Sequence, residues 1–271
     1  MNLPTVTTLL LKHDKGVLYV TLNRPEQRNA LNVTMVNELN ATFDAVIQAG
    51  PNEVRAVVLR GAGGHFCAGA DLKEMMAGGM KPPKPGEPDP IRMMNRSFGT
   101  MLRKTTAMPC AVVVVCEGAV LAGGFGFACV SDIAIAHVDA KFGVPETIRG
   151  LPPAQIAPFI VERIGLTQTR RLCLTGAMFN GTVAKQLGIV HDTFTSEDEI
   201  QTKLAETLKQ ILMCAPNANA VTKEIVLKSS RGDLDAVLDD AADKFAASVR
   251  GAEAPEGITA FMQKRNPKWA Q

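Results

Sequence analysis

The 271-residue chain has one Trp and one Tyr, too few aromatic faces for the stacking platforms that hold single-stranded nucleic acid. Its 29 Lys+Arg against 27 Asp+Glu leave a formal charge of +2, so no charge excess draws it to nucleic acid or to an anionic membrane. No apolar run reaches the roughly 18 residues of a membrane-spanning helix. The longest candidate, 110–130, is interrupted by Glu117 and diluted by Gly118, Gly123, Gly124 and Gly126. The opening MNLPTVTTLLLKHD has neither a basic leader nor a long apolar stretch, which points to a cytoplasmic protein. The cysteines (Cys67, Cys110, Cys116, Cys129, Cys173, Cys214) form no C-x-x-C pair, and His13, His65, His137 and His191 are scattered. Buried, reduced thiols are therefore expected, and no metal site. The dinucleotide pattern G-x-G-x-x-G, a P-loop G-K-[ST] and a G-x-S-x-G elbow are all missing, which excludes the commonest nucleotide and serine-nucleophile signatures.

Glycine, by contrast, is plentiful at 23 residues. The first half of the chain alternates short apolar strands with helices. Leu9–Leu11 and Val17–Leu22 read as a hairpin, Asn32 as the cap of a helix carrying Val36, Leu39, Phe43, Val46 and Ile47 on one period, and Ala56–Leu59 as a strand. A helix from about Ile91 to Thr106, a fully apolar central strand Ala111–Cys116, a short apolar helix and a strand near Ile133–Ala136 follow. Five prolines within 78–90 exclude a regular element there and suggest a surface loop able to cover a pocket. From Pro153 onward the pattern is helical. The fold class is α/β with a helical C-terminal appendage, divided at about residue 200 into a core (1–200) and a helical region (201–271).

Two small-residue turns follow predicted strands, Gly61–Asp71 and Gly118–Gly126. Without bulky side chains they let a ligand approach backbone N–H groups, and at a helix start such amides suit a developing oxyanion. They can equally serve tight strand–helix packing alone. A third segment, Phe142–Glu146 followed by Arg149–Pro153, sets Glu146 among apolar neighbours, where a raised pKa would suit an acid or base. His65 with Cys67 has only the appearance of a nucleophile pair. Asp71 reads as a helix cap, and Glu117 as a weaker candidate acid.

Taken together, LNRPEQRNAL, HFCAGADLKEM, EGAVLAGGFGFACVSDIAIA, AKFGVPET and AFMQKRNPKW resemble the crotonase (enoyl-CoA hydratase/isomerase) superfamily over nearly the whole chain. The resemblance implies a spiral of repeated ββα units whose C-terminal helices build a homotrimer or a dimer of trimers. It implies an acyl-CoA substrate, with coenzyme A as part of that substrate and no separate cofactor. Matched by position, the Ala68 and Gly123 amides correspond to the oxyanion hole and Glu146 to a catalytic carboxylate. Arg28, Ala30, Cys67, Gly69, Ala70, Asp71 and Leu72 correspond to the CoA-binding surface, Gly124 and Gly126 to the substrate pocket, and Phe261 and Lys264 to C-terminal positions that reach CoA.

One departure stands out. Family hydratases use two glutamates, and the first position is here Gly126. A single later glutamate is also the pattern of Δ3,Δ2-enoyl-CoA isomerases. Yet LPPAQIAPFIVERIGLTQTRRL, CAPNANAVTKE and FMQKRNPKWAQ are most similar to family hydratases acting on isohexenylglutaconyl-CoA in acyclic terpene degradation, a branched enoyl thioester with a second carboxylate. Hydration is therefore the leading expectation, isomerisation the second, and a non-catalytic RNA-binding relative the third. An ordered water near Gly126, or the substrate's own carboxylate, is expected to replace the missing acid. The absent side chain is expected to leave room for a branched acyl group.

Overall fold

The computed structural model describes residues 1–77, 83, 84, 86–230 and 232–270. The expected hairpin is β1 (Leu9–Asp14) and β2 (Val17–Leu22), paired antiparallel and joined through Gly16 at φ 77°. Asn32 caps α1 (Val33–Ala49) by accepting from the Met35 N–H at 2.9 Å, and the helical period buries Met35, Leu39, Phe43 and Val46. Ile47, on the flank of that stripe, stays 42 % exposed. The chain continues through β3 (Ala56–Gly61), α2 (Leu72–Ala77), α3 (Pro90–Thr106), β4 (Ala111–Cys116), β5 (Ala119–Leu121), α4 (Gly123–Val130), β6 (Ile133–His137) and β7 (Lys141–Gly143).

Past Pro153 the chain is not purely helical. Between α5 (Ala157–Thr175), α6 (Gly181–Gln186) and α7 (Glu197–Met213) lie β8 (Met178–Phe179) and β9 (Asp192–Phe194), too short to show a period in the sequence. Within α5 the helical path is broken at Gly165, whose φ is 76°. Helices α8 (Pro216–Ser229), α9 (Leu234–Arg250) and α10 (Glu253–Met262) complete the C-terminal layer.

A six-stranded sheet runs β1-β2-β3-β4-β6-β9, parallel except for β1, and a three-stranded sheet runs β5-β7-β8. Each turn of the chain lays one strand in the large sheet and one short extended segment beside the small one, then enters a helix. The sets are β2, Leu31 and α1; β3, Cys67 and α2; β4, β5 and α4; β6, β7 and α5. Parallel bridges Leu31–Ala70 and Cys67–Val120 extend the second row. This is the expected ββα spiral.

The all-apolar β4 follows from burial on both faces. Val112, Val114 and Cys116 join the main core, whereas Val113 and Val115 meet Ile200, Leu204, Leu208 and Ile211 of α7. Arg55, just before β3, is 9 % exposed and binds carbonyls rather than a carboxylate. Its guanidinium donates to Trp269 O and Leu212 O, each at 3.0 Å, and to Cys214 O, tying the end of α7 and the C-terminal segment to the sheet. Arg55→Ala would leave these carbonyls without donors. We expect a loss of about 2–4 kcal/mol, read as a Tm fall of roughly 5–12 °C, with activity at 25 °C little changed. A Tm shift below about 2 °C in thermal denaturation would contradict this role.

Candidate active site

Three segments lie side by side in the second row. The Cys67 N–H donates to Ala119 O (2.8 Å), Leu121 N–H to Cys67 O (2.9 Å) and Ala122 N–H to Gly143 O (3.0 Å). Their C-terminal ends carry the Gly69–Ala70 turn, the first residue of α4 and Pro145–Glu146. The three candidates read from the sequence thus converge at one end of the small sheet.

Fully buried Asn29 holds the first turn. Its Nδ2 donates to Ala62 O (2.9 Å) and His65 O (2.6 Å), while its Oδ1 accepts from Arg24 N–H (2.8 Å). Arg24 also pairs with Asp71 at 2.8 Å. Asp71 caps α2 as expected, accepting from Glu74 N–H at 3.3 Å, and its carboxyl is held below the usual range chiefly by Arg24. Nothing in the local sequence pattern separates Arg24 and Asn29 from solvated polar residues, so their scaffold role emerges only in the fold.

The free amides are not quite those expected. Ala68 N–H donates to Arg28 O at 3.0 Å, so it is already spent on the chain. One bridge further, Leu31 engages Gly69 O and Asp71 N–H. A parallel bridge turns the amide of the middle residue the other way. The Ala70 N–H therefore has no acceptor among the described residues, and Ala70 is exposed. The Gly123 N–H, at the first position of α4, is likewise unpaired among the described residues. A Cβ on Gly69 would stand 2.7 Å from Ala122 Cβ and 3.7 Å from Gly123 N, so the two turns touch. Packing also demands these glycines. A Cβ on Gly123 would meet Leu31 at 2.8 Å and the Phe98 ring at 3.0 Å, and one on Gly124 would meet Cys67 O at 2.5 Å.

Glu146 is half-buried, and its Oε2 is buried with no hydrogen-bond partner among the described residues. Burial pushes its pKa up, opposed by its own backbone N–H and by the charge of Arg149. A carboxyl with an open oxygen and a raised pKa can take up a proton and return it.

The space beside Gly126 differs from expectation. A Cβ there would lie 2.8 Å from Ile156 Cγ2 and 3.2 Å from Leu102 Cδ1. Both neighbours are buried, so apolar side chains crowd the position where a side chain at residue 126 would begin, and the expected open space beside Gly126 is not there. Glu117 does not substitute for it. Arg60 grips it through Nε–Oε2 (2.8 Å) and Nη2–Oε1 (3.1 Å). Cys67 is no nucleophile either, since complete burial pushes its thiol up to about 12 and His65 Nδ1 instead accepts from Ala119 N–H at 3.1 Å. Among the described residues no cluster of His, Cys, Asp and Glu could hold a metal, and no helix is long and apolar enough to cross a membrane.

The sequence profile of "Enoyl-CoA hydratase/isomerase" matches residues 12–271. The chain belongs to that family. Its fold is the crotonase fold, shared with the solved structure of Pseudomonas aeruginosa AtuE (54 % identity, 98 % of this chain and 100 % of that one, TM-score 0.92). An enoyl-CoA hydratase/isomerase from Marinobacter aquaeolei is similar at 49 % identity over 97 % and 99 % of the two chains, with a TM-score of 0.93. Among characterised relatives, the 2,3-dehydroadipyl-CoA hydratase of Escherichia coli K12 is 28 % identical over 97 % of this chain and 98 % of its own.

In this hydratase/isomerase family member, Arg28, Ala70 and Leu72 are all exposed beside the free amides, and Ala30 is half-buried with its carbonyl bound by Arg24 Nη1 at 2.5 Å. Phe261 and Lys264 are not gathered with them by any contact described above. Phe261 is 84 % exposed on α10, which packs on α9, and Lys264 follows it. Within the expected covering loop 78–90, residues 78–82 and 85 lie outside the described residues; Asp89 caps α3 and Pro90 begins it.

Proposed function

We propose that this family member is an enoyl-CoA hydratase acting on a branched enoyl thioester with a second carboxylate, of the isohexenylglutaconyl-CoA class. The observation that carries the reading is the open, buried oxygen of Glu146 at the end of the sheet that also presents two free amides. The thioester carbonyl takes the Ala70 and Gly123 N–H groups, which stabilise the enolate. Glu146 removes a proton from water as its oxygen bonds to C3, the C2=C3 π electrons pass into the enolate, and the Glu146 carboxyl then returns that proton to C2. Water is consumed whole, no redox partner is needed, and CoA serves only as the acyl carrier. The resemblance of LPPAQIAPFIVERIGLTQTRRL to hydratases of acyclic terpene degradation supports the substrate class, and that run supplies Ile156 to the space beside Gly126.

The C-terminal layer leaves Leu238, Phe245, Ile258 and Phe261 more than half exposed. This supports self-association through that layer, which we read as a homotrimer or dimer of trimers in which Phe261 and Lys264 would reach a neighbour's CoA.

Incubation with 3-methylglutaconyl-CoA in H2¹⁸O tests the reaction. Hydration puts one labelled oxygen in the product, whereas the isomerase alternative exchanges hydrogen but adds no oxygen. RNA binding without turnover would return the third reading. The donor assignment has its own test, exchange of the Ala70 N–H for an ester oxygen by incorporation of lactic acid. We expect kcat/KM to fall roughly 10²–10³-fold. The same exchange at Ala68 should cost stability instead, because that amide binds Arg28 O.

A further inference from the structure

α3 presents Asn95, Phe98, Gly99 and Leu102 along one face, at the spacing that stacks helical side chains. Phe98 lies against Gly123 at the oxyanion turn, and Leu102 lies against Gly126. Gly99 lies against Gln155. A Cβ there would fall 1.9 Å from Gln155 Oε1, so the absent side chain at residue 99 is what lets this carboxamide rest on the helix. Gln155 Nε2 donates to Asn95 Oδ1 at 2.9 Å. An amide pair therefore caps the same face that runs past both glycine positions, one residue before the Ile156 that fills the Gly126 space.

The pair is only partly used. Each carboxamide carries two N–H donors and one acceptor. The bond between them consumes one donor of Gln155 and part of the acceptor of Asn95. Both N–H groups of Asn95 remain free among the described residues, as does the second N–H of Gln155. Arg92, three residues back on the same flank of α3, is exposed and its guanidinium has no partner among the described residues. Unused donors with a cation one turn away suit a carboxylate, whose oxygens take charge-assisted bonds, and offer nothing to a methyl group. The main core supplies no such discrimination here, since Phe98, Leu102 and Ile156 are apolar.

We propose that Asn95 and Gln155 form the element that reads the second carboxylate of the acyl group, with Arg92 adding charge at its rim. This rests on the reading of the site as an acyl-CoA pocket and deepens it to a specificity determinant. Asn95 is exposed and Gln155 half-buried, so water meets these donors in the free enzyme. An analogue lacking the carboxylate is rejected to the extent that its bound acyl group covers them without replacing that water.

The test compares 3-methylglutaconyl-CoA with 3-methylcrotonyl-CoA, thioesters that differ in the distal carboxylate. For Gln155→Leu and Asn95→Leu we expect kcat/KM on the carboxylate substrate to drop roughly 10–100-fold, with less than about 3-fold change on the methyl substrate. Gln155→Glu, nearly isosteric but anionic, should lower the carboxylate substrate at least as much. Equal losses on both substrates, or no loss on either, overturn the proposal, since a purely structural tie between α3 and residue 155 would not distinguish them. Equilibrium binding of glutaryl-CoA against butyryl-CoA needs no turnover and separates the two readings. If hydration is absent but Gln155→Leu selectively weakens glutaryl-CoA, the hydratase reading fails and the carboxylate reader stands. If hydration occurs with no carboxylate preference in either assay, the reverse holds.

Discussion

Glu146→Gln is expected to lower kcat for hydration by roughly 10²–10⁴-fold while leaving acyl-CoA binding nearly intact. The amide keeps the shape of the side chain but can neither take a proton from water nor return it to C2. Wild-type kcat/KM should fall on the acid side with a midpoint above the ordinary carboxylate range, because burial raises this group's pKa. A stability signature accompanies the loss. A carboxyl whose folded pKa is raised contributes its full stability below the unfolded value, and that contribution disappears as pH rises through the folded value. Glutamine never ionises and does not leave a charged buried oxygen unpartnered. Glu146→Gln should therefore raise Tm by about 1–4 °C at pH 8 and change it little at pH 4. Near-wild-type hydration in steady-state assays would remove Glu146 from the mechanism altogether.

Restoring the family's first acid by Gly126→Glu should fail. Its Cβ would sit 2.8 Å from Ile156 and its carboxylate would enter a space lined by Leu102 and Ile156. Overpacking combined with an unpaired buried charge costs about 2–4 kcal/mol, read as a Tm drop of roughly 5–15 °C, with no gain in turnover. The double variant Gly126→Glu with Ile156→Gly removes the obstruction and should recover at least half of the lost Tm. A single variant that melts within about 1 °C of wild type would show that Ile156 yields easily and that the pocket is more open than its packing implies.

These outcomes separate two kinds of information in the chain. Local chemistry made much of the fold legible. Asn32 as a cap, the unbroken apolar run of β4 and the Pro and Gly punctuation depend on neighbours close in sequence, so their elements fell where expected. β8 and β9 did not, because strands of two or three residues have no period and exist only through their partners in the two sheets. Within the candidate site, the sequence singled out Glu146, the two glycine turns and the absence of a side chain at Gly126. It could not say which amide of the Cys67–Asp71 turn is free. That depends on Arg28 O and Leu31 arriving from another turn of the spiral and taking the bonds of residues 68, 69 and 71.

Gly126 shows the division most sharply. From the sequence alone, a missing side chain reads as a vacancy for water or substrate. In the folded chain Ile156 and Leu102 occupy that volume, since interiors close-pack whatever the sequence omits. The sequence determined that residue 126 carries no side chain, which leaves Glu146 as the single carboxylate of the pair expected from the family resemblance. Only the tertiary structure decided that the gap is filled and apolar, because its contents come from α3 and the segment before α5, brought together by packing across the spiral.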